Sequence, residues 1–336
     1  EPVTAAETPA IEAPKDDGNG SAPSPSTNEP SKPAPACDVL TPRTKPLELF
    51  VQPDVGSAPF VAAITKATKT IDVMVYQMGY GPILDGLEAK AKAGVAVRVI
   101  LDLSQKNVNQ KYMDRLLAAG ANVIWSDPQF TYMHAKVILV DGVEAIISTG
   151  NYSESYMGKE RNFAVRNTDP ADIEVLTKLY AADFSRTAPD LTCTRLIVAP
   201  VNAKQRLIDF IASAKKEIVI ESMQLGDKDI RDAIAARKAA GVAVRALLAD
   251  PSWIDTNKDA GTFLADKQIP ARWMKSPGVH VKAIVVDDQA AYIGSENLSW
   301  TSLTKNREVG LIVSETTNAA TVKSTFETDW ATATPF

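Results

Sequence analysis

The sequence predicts an α/β fold of two pseudo-twofold-related halves. Each half is a mixed β-sheet flanked by helices, and the two should pack against each other with that symmetry. The first observation behind this is an internal repeat. Lys69-Thr-Ile-Asp-Val-Met-Val-Tyr-Gln-Met78 returns as Lys216-Glu-Ile-Val-Ile-Glu-Ser-Met-Gln-Leu225. Ala93-Gly-Val-Ala-Val-Arg-Val-Ile100 returns as Ala240-Gly-Val-Ala-Val-Arg-Ala-Leu247, and Met133-His-Ala-Lys-Val-Ile-Leu-Val-Asp141 as Val279-His-Val-Lys-Ala-Ile-Val-Val-Asp287. The offsets of 147, 147 and 146 residues mark a duplication with a small indel. The second observation is that strand-like and helix-like stretches alternate within each copy, as they do in sheets covered on both faces.

The elements follow from local pattern. Residues 47–52 and 71–77 are short and rich in branched apolar residues, which predicts strands. Residues 57–68 and 82–93 carry apolar positions three and four apart, which predicts helices. Gly94 and Gly241 stand where helix C-termini favour a left-handed residue. Strands are expected at 95–101 and 242–248, helices near 108–119 and 258–266, then short strands ending in Trp125 and Trp273. Each copy closes with a hairpin, 134–140 with 144–149 and 280–286 with 290–294, and Asp141-Gly142 is a favoured hairpin turn.

The rest of the chain bounds the reading. Its 336 residues are 45% hydrophobic and 23% charged, an ordinary globular composition with room for two modest domains. Net charge of −5 argues against nonspecific nucleic-acid binding, which leaves a basic footprint. No apolar run reaches the roughly 18–20 residues of a membrane span. Residues 1–36 hold almost no large apolar residue and cannot offset their ordering entropy, so a disordered leader is expected there. The halves would then span 37–190 and 191–336. A chain starting at Glu1, with such a leader, suggests a secreted or periplasmic bacterial protein whose upstream signal segment is removed. Cys37 ends the leader and Cys193 opens the second half; a bridge between them would suit that oxidising compartment.

Both copies contain His, any residue, Lys, four residues, Asp, then Asn ten residues on: His134, Lys136, Asp141, Asn151 and His280, Lys282, Asp287, Asn297. These are the only histidines in the chain. Residues two apart in a strand share a face, so each His-Lys pair should point together. The returning hairpin strand brings Thr149/Asn151 or Ser295/Asn297 beside it. Two lysines, two asparagines and two small hydroxyls can cradle the nonbridging oxygens of a phosphodiester. One neutral imidazole can attack phosphorus while the other, protonated, donates to the leaving oxygen. Three- or four-ligand clusters for zinc are missing, so neither a metal nor another cofactor is expected.

On these residues the chain resembles the phospholipase D superfamily, whose signature is a duplicated His-x-Lys-x4-Asp-x6-Gly-Ser/Gly-x-Asn, over about residues 45–332. The resemblance implies a metal-independent, two-step mechanism through a covalent phosphohistidine, and one bilobal unit with the active site in the seam. It implies His134 as nucleophile and His280 as general acid, then base. The family also places an acidic residue eleven positions after each motif Asn to orient a histidine. Here that residue is Glu308 in the second copy but Asn162 in the first, with Glu160 nearby as an alternative partner. Phosphodiesterases acting on tyrosyl-DNA look amide-paired at the nucleophile, which fits Asn162 beside His134 as attacker and leaves a swapped assignment open. Ser148 replaces the usual Gly and is small enough to be tolerated. Asn151-Tyr-Ser and Asn297-Leu-Ser read as glycosylation sequons only by overlap with the motif.

The resemblance leaves the substrate open. Aromatic and apolar residues near the motifs, Trp125, Phe130, Tyr132, Met133, Trp253, Trp273, Met274, Tyr152, Tyr156 and Trp300, suit contact with phospholipid at a membrane or vesicle surface. This favours a phospholipase D, hydrolysing headgroups or transferring the phosphatidyl group to an alcohol, and acting as a monomer. The alternative is a metal-independent nuclease with nucleic acid as substrate and Lys106, Lys111, Lys258 and Lys275 along its groove. A third reading is a non-catalytic phosphate- or phospholipid-binding module.

Overall fold

A computed structural model describes residues 37–336; the expected leader, 1–36, lies outside the described residues. The first sheet runs in the order Glu48–Gln52, Glu160–Asn167, Glu144–Ser148, Val137–Val140, Thr70–Val75, Ala96–Leu101, Asn122–Trp125. The second repeats that order as Ile197–Ala199, Glu308–Val313, Ala290–Gly294, Lys282–Val286, Glu217–Ser222, Ala243–Ala249, Ala271–Met274, and adds Thr334–Pro335 at its edge. The three strands at the Trp125 or Met274 end of each copy pair in parallel, and the hairpin strands pair antiparallel. Both sheets are therefore mixed.

The predicted helices form at Ala58–Lys66, Pro82–Lys92, Lys106–Ala118 and Asn257–Asp266. Gly94 and Gly241 follow their helices at φ +86° and +89°, where an L side chain would be strained. Both hairpins turn on two positive-φ residues, Asp141-Gly142 and Asp287-Asp288, the type I′ geometry that matches strand twist.

Each sheet buries its outer face under its own helices in a separate apolar cluster. The inner faces meet in one central cluster drawn from both halves. It includes Met74, Leu139 and Phe163 of the first half and Ala283, Ile293 and Leu311 of the second. Helix Pro170–Ser185 adds Ile173, Leu176 and Leu179, and helix Thr316–Thr332 adds Val322 and Phe326. One shared core makes the halves a single body rather than two independent domains.

The chain also stitches the seam with polar contacts. Cys37 and Cys193 are joined by a disulfide. Arg161, from the first sheet, pairs with Asp329 in the final helix at 2.6 Å and donates to the Gln52 carbonyl. Arg307, its counterpart in the second sheet, pairs with Asp183 in the first half's helix at 2.9 Å and donates to the Ala199 carbonyl. All four charged groups are buried, so each ion is tolerable only because its partner is present.

Candidate active site

The two histidines do not lie in strands as expected. The regular strands begin at Val137 and Lys282, and each imidazole sits just before its strand. What fixes them is backbone pairing across the seam. The His134 and Ala135 amides both donate to the Arg307 carbonyl at 2.9 Å, and the His280 amide donates to the Arg161 carbonyl at 3.1 Å. Gly278–Val279 pairs in parallel with Glu160–Arg161, and Met133 bridges Arg307 in the same manner. The Met133 amide also donates to Asp102. Each half thus holds the other's histidine in place.

The orienting residues cross the seam as well, which corrects the expected assignment. His134 Nδ1–H donates to Glu308 Oε2 of the second half at 2.8 Å. His280 Nδ1 lies 3.1 Å from Asn162 Oδ1 of the first half. The carboxylate therefore belongs to His134 and the amide to His280. Glu160 also serves His280, its carboxylate 3.8 Å away, and accepts from Asn162 Nδ2 at 3.3 Å. Amide pairing consequently gives no support to His134 as the attacking group.

A further correction concerns Thr149 and Ser295, expected to bind phosphate. Thr149 Oγ1 donates to Asn162 Oδ1 at 2.8 Å and accepts from the Phe163 amide. Ser295 Oγ accepts from the Val309 amide at 3.0 Å and helps hold the Glu308 carboxylate. Both hydroxyls are buried behind the orienting side chains and stabilise them instead. Ser302 and Asn306, which the sequence reading passed over, complete the Glu308 setting by donating to Oε1 at 2.6 and 2.9 Å. A Ser and an Asn close before the acidic position were the available signal.

Lys136 and Lys282 are completely buried, each donating to the carbonyl of its own histidine. Lys282 Nζ also lies 3.3 Å from His280 Nδ1. The Asn151 and Asn297 side-chain oxygens are buried without a hydrogen-bond partner. The two lysines lie close enough to each other and to both imidazoles to influence their ionisation. The motif aspartates act elsewhere. Asp141 accepts from the Thr68, Lys69 and Thr70 amides, and Asp287 from those of Lys215, Lys216 and Glu217. They tie the hairpin turn to the start of the neighbouring strand.

Burial dominates the electrostatics. It pulls the His134 pKa down to about 4 although Glu308 raises it, and Lys136 lowers it further. It pulls His280 well below the ordinary range, with Lys282 and Lys136 adding to the shift. Lys136 falls to about 7 and Lys282 also drops, both for lack of solvation. Burial pushes Glu308 up, but His134, Lys136 and the Ser295 hydroxyl outweigh it, so the carboxyl ends below its usual value. Both imidazoles are therefore neutral at rest beside ionised Glu308. Glu296, also missed, is fully buried against the Tyr292 hydroxyl at 2.6 Å, and its pKa rises to about 8 through burial and repulsion from Glu308.

The expected aromatic lining is only partly present. Trp273 is buried against Phe336, Trp125 packs on the first half's outer core, and Phe130, Met133, Tyr152 and Met274 are core residues. Tyr156, Trp253 and Trp300 are exposed. Of the lysines proposed for a nucleic-acid groove, Lys275 lines a cavity with Glu160 and Trp253. Lys106 lies over Trp125, Lys111 over Tyr80 and Tyr112, and Lys258 pairs with Asp255. Among the described residues, no group of three His, Cys, Asp or Glu is placed to hold a metal, and no helix is long and apolar enough to cross a membrane.

Comparison with known proteins agrees with the doubled architecture. The family described as "Cardiolipin synthase, PLD-like domain" matches twice, over residues 60–187 and 207–330. The major cardiolipin synthase of Bacillus subtilis is 24% identical over 287 residues, covering 73% of this chain and 60% of that protein. A cardiolipin synthase of Clostridium perfringens is 24% identical over 304 residues, covering 74% and 63%. The chain thus spans about three-fifths of the length of these relatives. Among solved structures, polyphosphate kinase from Porphyromonas gingivalis superposes with TM-score 0.66 at 18% identity, covering 84% of this chain and 46% of that one. Phosphatidylserine synthase from Haemophilus influenzae gives 0.63 at 13% identity, covering 86% and 87%. These two establish likeness of fold.

Proposed function

Starting from the chain's membership of the phospholipase D-like family, we propose that it is a phospholipid phosphodiesterase that passes a phosphatidyl group through a covalent phosphohistidine to an alcohol or water. The observation carrying this reading is the pair of seam-crossing imidazole contacts, His134 with Glu308 and His280 with Asn162, beside two buried lysines. A carboxylate on Nδ1–H fixes the tautomer that leaves Nε2 as a lone pair, and it stabilises the cationic ring formed when Nε2 bonds to phosphorus. That suits His134 to attack.

His280 then carries the proton. Lys136, Lys282, Asn151 and Asn297 hold the nonbridging oxygens as the His134 Nε2–P bond forms and the bond to the headgroup oxygen breaks. The substrate's negative charge and the Glu160 carboxylate 3.8 Å away favour the His280 imidazolium, which protonates that leaving oxygen. Neutral His280 next takes a proton from water or an acceptor alcohol, whose oxygen displaces His134 from phosphorus. His134 returns to its neutral state, and His280 to the imidazolium it became by taking a solvent proton as substrate bound. The named activity of the cardiolipin synthase relatives supports transfer to an alcohol as part of this reading. The Cys37–Cys193 bridge supports an oxidising, extracytoplasmic location.

The test incubates the protein in EDTA with phosphatidylcholine or phosphatidylglycerol vesicles, with and without glycerol, and in parallel with single-stranded oligonucleotide. Headgroup release, lost in both His134→Ala and His280→Ala, is expected. Oligonucleotide cleavage without lipid turnover would reverse the choice of substrate. Full activity in either histidine variant would refute the shared site.

A further inference from the structure

The two copies of the motif differ at four positions that belong together in space. Ile146, Ser148, Gly150 and Ala164 of the first copy become Tyr292, Gly294, Glu296 and Gly310 of the second, each at the offset of 146. The exchange installs a carboxyl group inside the second half. Glu296 is fully buried, and its Oε2 accepts from the Tyr292 hydroxyl at 2.6 Å. A Cβ at Gly310 would stand 2.7 Å from Glu296 Oε2, and one at Gly294 would press on the same oxygen and on the Tyr292 hydroxyl. Both glycines therefore vacate the space that the carboxyl fills. The first copy lacks that room, since a side chain at Gly150 would meet Asn162 at 2.8 Å.

This added acid lies behind one histidine. Glu308 and Gly310 are two apart in one strand and share a face, so Glu296 sits near the carboxylate that receives His134 Nδ1–H. Of the two acids, Glu308 carries the charge, because His134, Ser302 and Asn306 all donate to it. Glu296 accepts from one side chain, Tyr292, and its Oε1 is buried without a partner. Two carboxylates so placed resist ionising together, and burial with repulsion from Glu308 raises Glu296 to about 8. The charged groups that share its field are Glu308, Lys136 and Lys282. The reaction steps given above make no use of it.

We propose that Glu296 is a positioning residue that acts on His134 through Glu308. While protonated it leaves Glu308 as the single anion behind the ring, and once ionised it adds a second negative charge that holds the phosphorylated ring longer. The inference rests on the function proposed above, with His134 as the group that bonds phosphorus. Forming the Nε2–P bond turns a neutral imidazole into a cation. Breakdown, in which water or an alcohol displaces His134 from phosphorus, returns the ring to neutrality. Negative charge added nearby therefore favours the intermediate and slows its breakdown. The cationic ring in turn favours loss of the Glu296 proton to solvent, so ionisation in the intermediate falls at or below about pH 8. Lys136 and the Tyr292 hydroxyl, which donates to Oε2, favour the same ionised form.

The experiment gives the full chain phosphatidylcholine vesicles labelled in the phosphatidyl group, and quenches with detergent during steady turnover. The ratio of covalently labelled to free protein is measured from about pH 6 to 10, in the native protein, Glu296→Gln and Tyr292→Phe. In the native protein the ratio should rise about tenfold as Glu296 ionises, the scale of one charge added in a buried site. Glu296→Gln cannot ionise and should lose that rise. Tyr292→Phe removes a donor to the ionised carboxyl and should move the rise to higher pH. Lys136 and Lys282 titrate in all three proteins, so the difference between native and variant carries the result. A merely structural role would lower the amount of folded protein without changing the shape of the pH profile. The same profile in native protein and Glu296→Gln, or a rise that Tyr292→Phe moves to lower pH, overturns the assignment and leaves the phosphodiesterase reading intact. Absence of any lipid turnover in the native protein instead refutes the reading beneath it.

Discussion

Replacing Glu308 by Gln tests the asymmetry of the two histidines most directly. Glu308 is fully buried, bonds His134 Nδ1 at 2.8 Å, and has its other oxygen satisfied by Ser302 and Asn306. Glutamine keeps the shape but removes the charge that stabilises the phosphorylated, cationic ring. Leaving a buried charge without its partner costs about 3–5 kcal/mol, which corresponds to a rate loss of roughly 10²–10⁴-fold. Asn162→Ala removes only a neutral hydrogen bond from His280, worth about 0.5–1.5 kcal/mol, or roughly 2- to 10-fold. The assay is rapid-quench single turnover on phosphatidylcholine, following choline release for the attack step. Glu308 also holds the His134 pKa up against burial, so in Glu308→Gln the acid limb of the release rate should move to lower pH as its plateau falls. An Asn162→Ala loss equal to that of Glu308→Gln, or an acid limb moving upward, would refute the reasoning.

Two further outcomes concern stability. Cys37→Ser with Cys193→Ser opens a link between residues 156 apart, and should cost about 2–5 kcal/mol, read as a lower guanidinium midpoint with unchanged activity at 25 °C. Glu296 has a folded-state pKa of about 8, above its unfolded value near 4.3, so the folded protein loses stability as pH rises between those values. Glu296→Gln removes that penalty. Its Tm should gain on the native protein from about pH 5 to 8 and then level off, whereas a constant difference across that range would show that Glu296 does not stay protonated.

Much of this protein was legible in one dimension. The doubled text around Lys69 and Lys216 predicted two alike halves, because duplicated apolar patterns bury duplicated faces. The positions of Gly94, Gly241 and Asp141-Gly142 gave helix ends and turns, since those conformations depend on local sterics. The motif spacing placed a lysine two residues after each histidine, and the places of Cys37 and Cys193, at the leader's end and the second half's start, suggested the bridge that the fold contains.

What the sequence by itself could not decide is who touches whom across the seam. Reading along the chain, Asn162 lies nearest His134 and Glu308 nearest His280; in the fold each serves the other's partner. The strands carrying Asn162 and Glu308 reach over the seam to pair with the segment before the opposite histidine, an arrangement set by sheet packing. The same packing turned the Thr149 and Ser295 hydroxyls toward the orienting residues. Local sequence determined which groups the site contains, because residue type and strand period are local properties. Tertiary structure decided their partners, because those contacts join positions 118 and 174 residues apart and exist only once the two cores have closed into one.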